Sequence, residues 1–376
     1  MASLRRVVLL INELGLGGTE AQVSLLAEGL LARDIETHVI ALHRGGPYAD
    51  RLCRTGVHVH ELGFGAIGAS PAALLANLRA VVRLVRLLRG LRPQVLHAFL
   101  YASYVLGAPA ARLARVPVVV AGRRSQSLFK RGRRWVFALE TLATRLTHHV
   151  VANATAVAQD ARATERVPAR KLSVIHNGLP DSAFDPVAPE HVDTPFPVLL
   201  CVANLHQAKG HRFLLEAAAL LGRRGRPCTL VLVGDGPERA ALEKQAADLG
   251  VDARFHGFRL DTAPLLPRAD AVVMPSLTEG MSNAVMEAMA AGRPVVATAV
   301  GGTPELLGET RGVLVPAYGA RPLADAVLAL LDDPARAASL GAAARDWARE
   351  HLGVEAMVGR HVDLYQRLLA EDRCAE

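Results

Sequence analysis

Short runs of β-branched and apolar residues alternate with longer, alanine- and leucine-rich stretches along almost the whole chain, and no other feature restricts the fold as strongly. In the first half the short runs are Val7–Ile11, Thr37–Leu42, Val57–Leu62, Val95–Ala98, Val116–Ala121 and His149–Ala152. In the second they are Val198–Val202, Thr229–Val233, Ala253–Gly257, Ala271–Met274, Val295–Thr298 and Gly312–Val315. Strands separated by helical crossovers pair in parallel, so the pattern predicts repeated βα units. A chain of 376 residues exceeds one ordinary domain of about 150. The two sets of runs are divided by HNGLPDSAFDPVAPEHVDTPFP, with prolines at 180, 186, 189, 195 and 197. This predicts an N-terminal domain 1–180, a linker 181–196 and a C-terminal domain 197–376, whose last helix is a candidate to pack back on the first domain. The expected class is α/β, two Rossmann-like doubly wound parallel-sheet domains facing a central cleft. Ligands in such sheets bind beyond the carboxyl ends of the strands.

Composition narrows the function classes. Hydrophobic residues make up 51% and charged residues 21%, which suits packed cores and rules out general disorder. No apolar run reaches the roughly 18 residues of a membrane span; Tyr101–Gly122 is broken by Arg112, Arg115 and two prolines. The start, MASLRRVVLLINELG, runs into a strand without a cleavage site, so a cytoplasmic protein is expected. Cys53, Cys201, Cys228 and Cys374 have no paired spacing, and the histidines form no metal signature. No metal cofactor is expected.

Charge is unevenly placed. Residues 1–190 hold 24 lysines and arginines against 13 aspartates and glutamates, and the remainder 19 against 23. Such a basic half suggests a polyanionic partner. Aromatic residues at 4% disfavour a stacking platform for single-stranded nucleic acid, and no recognition motif is present, so no nucleic-acid partner is expected. On a helix through Leu74–Leu91, Arg79, Arg83 and Arg86 fall within about 60° of one another, beside Leu75, Leu78, Val82 and Val85. A second basic cluster, GRRSQSLFKRGRRW, adds Phe129 and Trp135. The expectation is reversible docking of the N-terminal domain on the anionic inner face of the membrane.

The segment AVVMPSLTEGMSNAVMEAMAAGRPVVATAVGGTPELL, residues 271–307, carries the chemistry. A strand runs into a Pro/Ser/Gly loop and then a helix beginning near Ser282 and Asn283, either of which can cap it. The free amides of a helix start form an anion site. Glu279 lies in the loop and Glu287 follows after seven intervening residues, one turn beyond Asn283. A carboxylate there can accept from two neighbouring ribose hydroxyls of a ligand whose phosphate sits at the helix start.

This segment resembles the donor-site block of retaining glycosyltransferases of the family-four type, which have the GT-B architecture and a Glu-x7-Glu motif. LGLGGTEAQVSLLAEGL, QVLHAF, IHNGLP, VANLHQAKGH and LVGDGPERAALE agree in order and spacing. The resemblance implies that Glu287 binds ribose, that Glu279 lies near the donor sugar, and that the backbone of Gly280, Met281, Ser282 and Asn283 contacts sugar and diphosphate. It implies that Lys209 neutralises the diphosphate and that His97 stands near sugar and acceptor. Asn204, Gly234 and Phe258 fall to the donor site, and Gly15, Gly17 and Gly18 to the acceptor side of the cleft. Asn204 stands where the family commonly has arginine, which removes one cationic contact; Arg212 is the nearest substitute.

The implied reaction is metal-independent retaining transfer from a nucleotide sugar, a UDP-sugar first, to a glycan or lipid-linked acceptor in polysaccharide or glycolipid synthesis. Negative charge grows on the departing diphosphate, and Lys209 with the helix-start amides meets it. Two other readings share these motifs. One is a nucleotide-sugar epimerase of the same architecture, and the other a transferase-like subunit that binds without turnover.

Overall fold

The structure, a computed structural model, describes residues 4–43, 45–65, 71–126 and 134–375, apart from the side chains of 71–76, 134, 135 and 375. It divides into two compact units, Met1–Gly178 with Val354–Glu376, and Leu179–Gly353.

The first unit is built on β1 (Arg6–Ile11), β2 (Glu36–Ala41), β3 (His58–Glu61), β4 (Val95–Phe99), β5 (Val118–Arg123), β6 (His149–Ala152) and β7 (Leu172–Val174). They pair in parallel in the order β3-β2-β1-β4-β5-β6-β7. Strand β1 shows why its sequence is a continuous apolar run rather than an alternation. Leu9 and Ile11 pack with Val23 and Leu26 of the helix Gly18–Leu31, whereas Val8 and Leu10 pack with Leu84 and Leu88 of the helix Pro71–Leu91. A parallel sheet covered by helices on both faces needs apolar residues on both. Strand β7, three half-buried residues at the sheet edge, is too short to stand out in the pattern.

The second unit contains β8 (Val198–Val202), β9 (Thr229–Val233), β10 (Ala253–Gly257), β11 (Ala271–Met274), β12 (Val295–Thr298) and β13 (Val313–Val315), in the order β10-β9-β8-β11-β12-β13. All pairs are parallel. Both sheets therefore share one winding, first strand central and the direction reversing between first and fourth, and both are Rossmann-like and doubly wound as expected.

The unit boundaries differ from the expected 180 and 197, while the last helix packs back on the first unit, as it was a candidate to do. The final helix, Val354–Ala375, belongs to the first unit, where Val358, Tyr365, Leu368 and Leu369 join the core of Leu9 and Val23. Gly29 lies so close to it that a Cβ would stand 2.5 Å from a Val358 methyl. The second unit thus ends at Gly353 and begins at Leu179. Residues 181–196 are not a free linker, because Arg345 donates to the Phe184 carbonyl at 2.7 Å and Arg259 grips Glu190 through two bonds of 2.8 and 2.7 Å.

On the helix Pro71–Leu91, Ala80, Leu84 and Leu88 are buried while Arg79, Arg83 and Arg86 are exposed. Leu78 and Val82 between them are 58% and 39% exposed. Phe129 and the side chains of Leu75 and Trp135 lie outside the described residues. Among the described residues no helix is long and apolar enough to cross a membrane.

Candidate active site

In the second unit the predicted residues follow β8 and β11, the two strands on either side of the winding reversal. Beyond β8 the chain passes exposed Asn204, makes a 3-10 turn at Gln207–Lys209 and enters the helix His211–Arg223 through Gly210. Beyond β11, residues 275–282 lead to the helix Asn283–Ala290. Because β8 and β11 are neighbours, the loops meet. The Leu277 amide donates to the Ala208 carbonyl at 2.8 Å. Lys209 Nζ donates to Glu279 Oε1 at 2.6 Å, and the Ser276 hydroxyl donates to the same oxygen at 2.7 Å.

Two glycines fix this contact. Gly210 is left-handed (φ 68°), and a Cβ there would lie 2.1 Å from the Pro275 carbonyl oxygen. Gly301 (φ 56°) presses on the other side, where a Cβ would stand 2.2 Å from the Glu279 carbonyl oxygen. Only glycine tolerates both the angle and the approach. Glu279 is 9% exposed. One of the three donors of the Lys209 ammonium is used by Glu279, leaving two for an incoming anion.

The helix Asn283–Ala290 is capped by Ser282, whose Oγ accepts from the Val285 amide at 3.4 Å; of the two residues able to cap, the structure uses serine. Met281 and Ser282 are each 6% exposed. Glu287, one turn along, accepts from the Thr262 hydroxyl, and burial pushes its carboxyl up to about 7. Buried His211 beside Lys209 is pushed down to about 4, by burial first and by the lysine charge second.

Of the other residues assigned to the donor, Gly234 donates its amide to the Gly257 carbonyl at 2.8 Å and touches Ala203, so it serves the turn that supports the Asn204 loop. Phe258, just past β10, is 40% exposed, and Leu260 is 70% exposed. Arg212 places its guanidinium 4.6 Å from the Phe213 ring centroid. Sequence reasoning missed Ser276, Thr262 and His211. Ser276 stood legible in PSLTEG, whereas Thr262 meets Glu287 only through the fold.

In the first unit Gly15 and Gly17 lie between β1 and the helix Gly18–Leu31, which Gly18 begins and extended Gly17 caps. A Cβ on Gly17 would stand 2.2 Å from a Glu20 carboxyl oxygen, so Glu20 folds back over the helix start. Burial raises the Glu20 carboxyl.

His97 lies inside β4, paired with Leu9 and Val120, and is fully buried. Its Nδ1 is 2.7 Å from the Tyr365 hydroxyl, and its ring stacks on Phe99 with centroids 4.0 Å apart. Burial, then neighbouring His361, holds it neutral. His97 is a core residue tying β4 to the last helix. Tyr365→Phe should cost about 1–3 kcal/mol by leaving His97 Nδ1 unpaired, read as a lower urea midpoint with activity per folded molecule unchanged. Lost activity at unchanged stability would return His97 to the reaction.

Comparison with known proteins agrees with this layout. A family model described as Glycosyl transferases group 1 matches residues 196–333, and one described as Glycosyltransferase Family 4 matches 16–182. The chain is 32% identical over 339 residues to a 2-deoxystreptamine glucosyltransferase of Streptomyces kanamyceticus, covering 82% of this chain and 86% of that protein. It is 37% identical over 167 residues to a GDP-mannose-dependent alpha-(1-6)-phosphatidylinositol monomannoside mannosyltransferase of Mycolicibacterium smegmatis, covering 41% and 44%. Among solved structures, Anabaena HepE in complex with UDP and glucose superposes with a TM-score of 0.83 at 22% identity, covering 96% of this chain and 99% of that one. With two Rossmann-like units, matched family models in both halves and a relative aligned over most of its length, the chain belongs to the family-four, GT-B glycosyltransferases.

Proposed function

We propose that the protein moves a sugar from a nucleotide-diphosphate sugar, a UDP-sugar first, to a hydroxyl of a glycan or lipid-linked acceptor, with retention at the anomeric carbon and without a metal. The observation that carries this reading is the Lys209–Glu279 contact at 2.6 Å, beside the Ser282-capped helix start. The ammonium and the helix amides supply positive charge where a diphosphate would depart. Glu287, one turn along, would accept from ribose hydroxyls, and exposed Phe258 would offer a ring to a base. In front-face transfer the leaving phosphate oxygen takes the acceptor proton, so no protein base is required.

GDP-mannose is the second donor to consider, because a mannosyltransferase relative is named for it. 2-Deoxystreptamine is the first soluble acceptor to try, for the same kind of reason. Incubation with a panel of UDP- and GDP-sugars should release nucleoside diphosphate from one donor, equally with and without EDTA. Loss on chelation, restored by magnesium or manganese, would contradict the metal-free reading. Binding without release from any donor would favour a non-catalytic subunit.

The exposed Arg79, Arg83 and Arg86, with Leu78 and Val82 between them, support work on the inner face of the membrane. Each basic side chain near an anionic leaflet contributes about 1 kcal/mol. Anionic liposomes at low salt should sediment the protein and neutral ones should not, with release near 1 M salt as screening shortens to about 3 Å. Equal recovery in the supernatant with both lipids would leave this face as ordinary solvation.

A further inference from the structure

The end of the second sheet opposite the Lys209 loop carries a cavity of about 930 Å³. Pro197, Asp270 and Pro294, each the residue immediately before β8, β11 or β12, line it. At about 3.3 Å per residue, strands this short put the cavity roughly 15 Å from the loops that hold Lys209 and Glu279. The volume falls within the range of small-molecule sites.

The charged lining is unbalanced. Arg226, Arg268 and Arg293 face one aspartate, Asp270. The Asp270 carboxylate is committed to the Val198 amide at 2.7 Å and reaches Arg268 only at 3.5 Å. Arg226 pairs with Asp332, both about half exposed, a bond easily exchanged. Among the described residues Arg293 meets no carboxylate. One of its terminal nitrogens donates to the Pro267 carbonyl at 3.1 Å, and its Nε is buried without a partner among the described residues. The buried Nε faces away from the cavity space, so it is the terminal guanidinium nitrogens of Arg268 and Arg293, not held by a close carboxylate among the described residues, that suit a phosphate, which accepts from several donors at once. Phe196, 40% exposed, adds a ring to the wall.

We propose that this cavity binds a phosphomonoester carried on a ring, its phosphate held by Arg268 and Arg293 and its ring laid on Phe196. The site is separate from the donor loops and does not rest on their assignment. The probe is phenyl phosphate, which has the phosphate and the ring but no diphosphate or ribose, titrated against the full chain by NMR with inorganic phosphate in parallel. Phenyl phosphate should bind more tightly than phosphate. Arg268→Ala and Arg293→Gln should each weaken it at least tenfold, and Phe196→Ala should bring it down to the phosphate level. Lys209→Ala should leave it unchanged. Among the described residues Arg268 makes only the long Asp270 contact, so its variant should keep the wild-type melting temperature and remain interpretable if Arg293→Gln does not fold. Absence of binding at millimolar probe, wild-type affinity in Arg268→Ala, or loss of binding in Lys209→Ala would each overturn the proposal.

Discussion

Lys209→Ala should lower kcat by about 10²–10³-fold, the usual effect of deleting one preorganised donor to a developing negative charge. The diphosphate gains charge as the glycosyl bond breaks, so the ammonium does more in the transition state than in the bound donor, and KM should change less than kcat. The fold supplies the preorganisation. Gly210 and Gly301 hold the two loops against each other, and Nζ sits 2.6 Å from Glu279. The substitution also leaves a nearly buried Glu279 carboxylate with Ser276 as its remaining described partner, at a cost of about 1–3 kcal/mol. Melting curves of the variant separate that loss from the kinetic one. Wild-type kcat with only a raised KM would remove Lys209 from the chemical step.

Glu287→Gln should weaken donor binding by roughly ten- to hundredfold, through loss of charged acceptance from buried hydroxyls, and yet stabilise the protein at pH 8. Burial raises this carboxyl from 4.5 to about 7, so the folded protein holds a proton there that the unfolded chain has released. Stability attributable to Glu287 is therefore intact below pH 4.5 and falls as pH rises toward 7. By pH 8 the penalty reaches up to about 3 kcal/mol, which a neutral glutamine avoids. The glutamine oxygen can still accept from Thr262. Donor affinity of the wild type should conversely rise between pH 6 and 8, as the carboxylate that accepts hydroxyl bonds becomes populated, and that slope should vanish in Glu287→Gln. A destabilised variant with unchanged nucleotide affinity would make Glu287 a structural residue.

Both sheets were legible because parallel strands covered on two faces must be continuously apolar, and runs such as Val7–Ile11 and Val198–Val202 have no other ready use. Their winding then places Lys209 and Glu279 together although they stand 70 residues apart. The final helix was harder, since nothing local in residues 354–375 distinguishes packing on either sheet; Gly29 against Val358 and Tyr365 against His97 decide it. The surroundings of His97 were not legible either, because the hydroxyl beside its Nδ1 belongs to Tyr365, 268 residues away. Residues 181–196 looked like a linker because prolines interrupt any element, although carbonyl and carboxylate groups among them are held by Arg345 and Arg259.

The most direct test of the account is the anomeric configuration of the first product, followed by proton NMR from the moment the active nucleotide sugar meets the enzyme and its acceptor. The account predicts that the α-linked donor sugar appears first as an α-glycoside, with nucleoside diphosphate released in equal amount and both signals suppressed together in Lys209→Ala. A β-glycoside as first product, or an epimerised free sugar formed with no acceptor present, would contradict it.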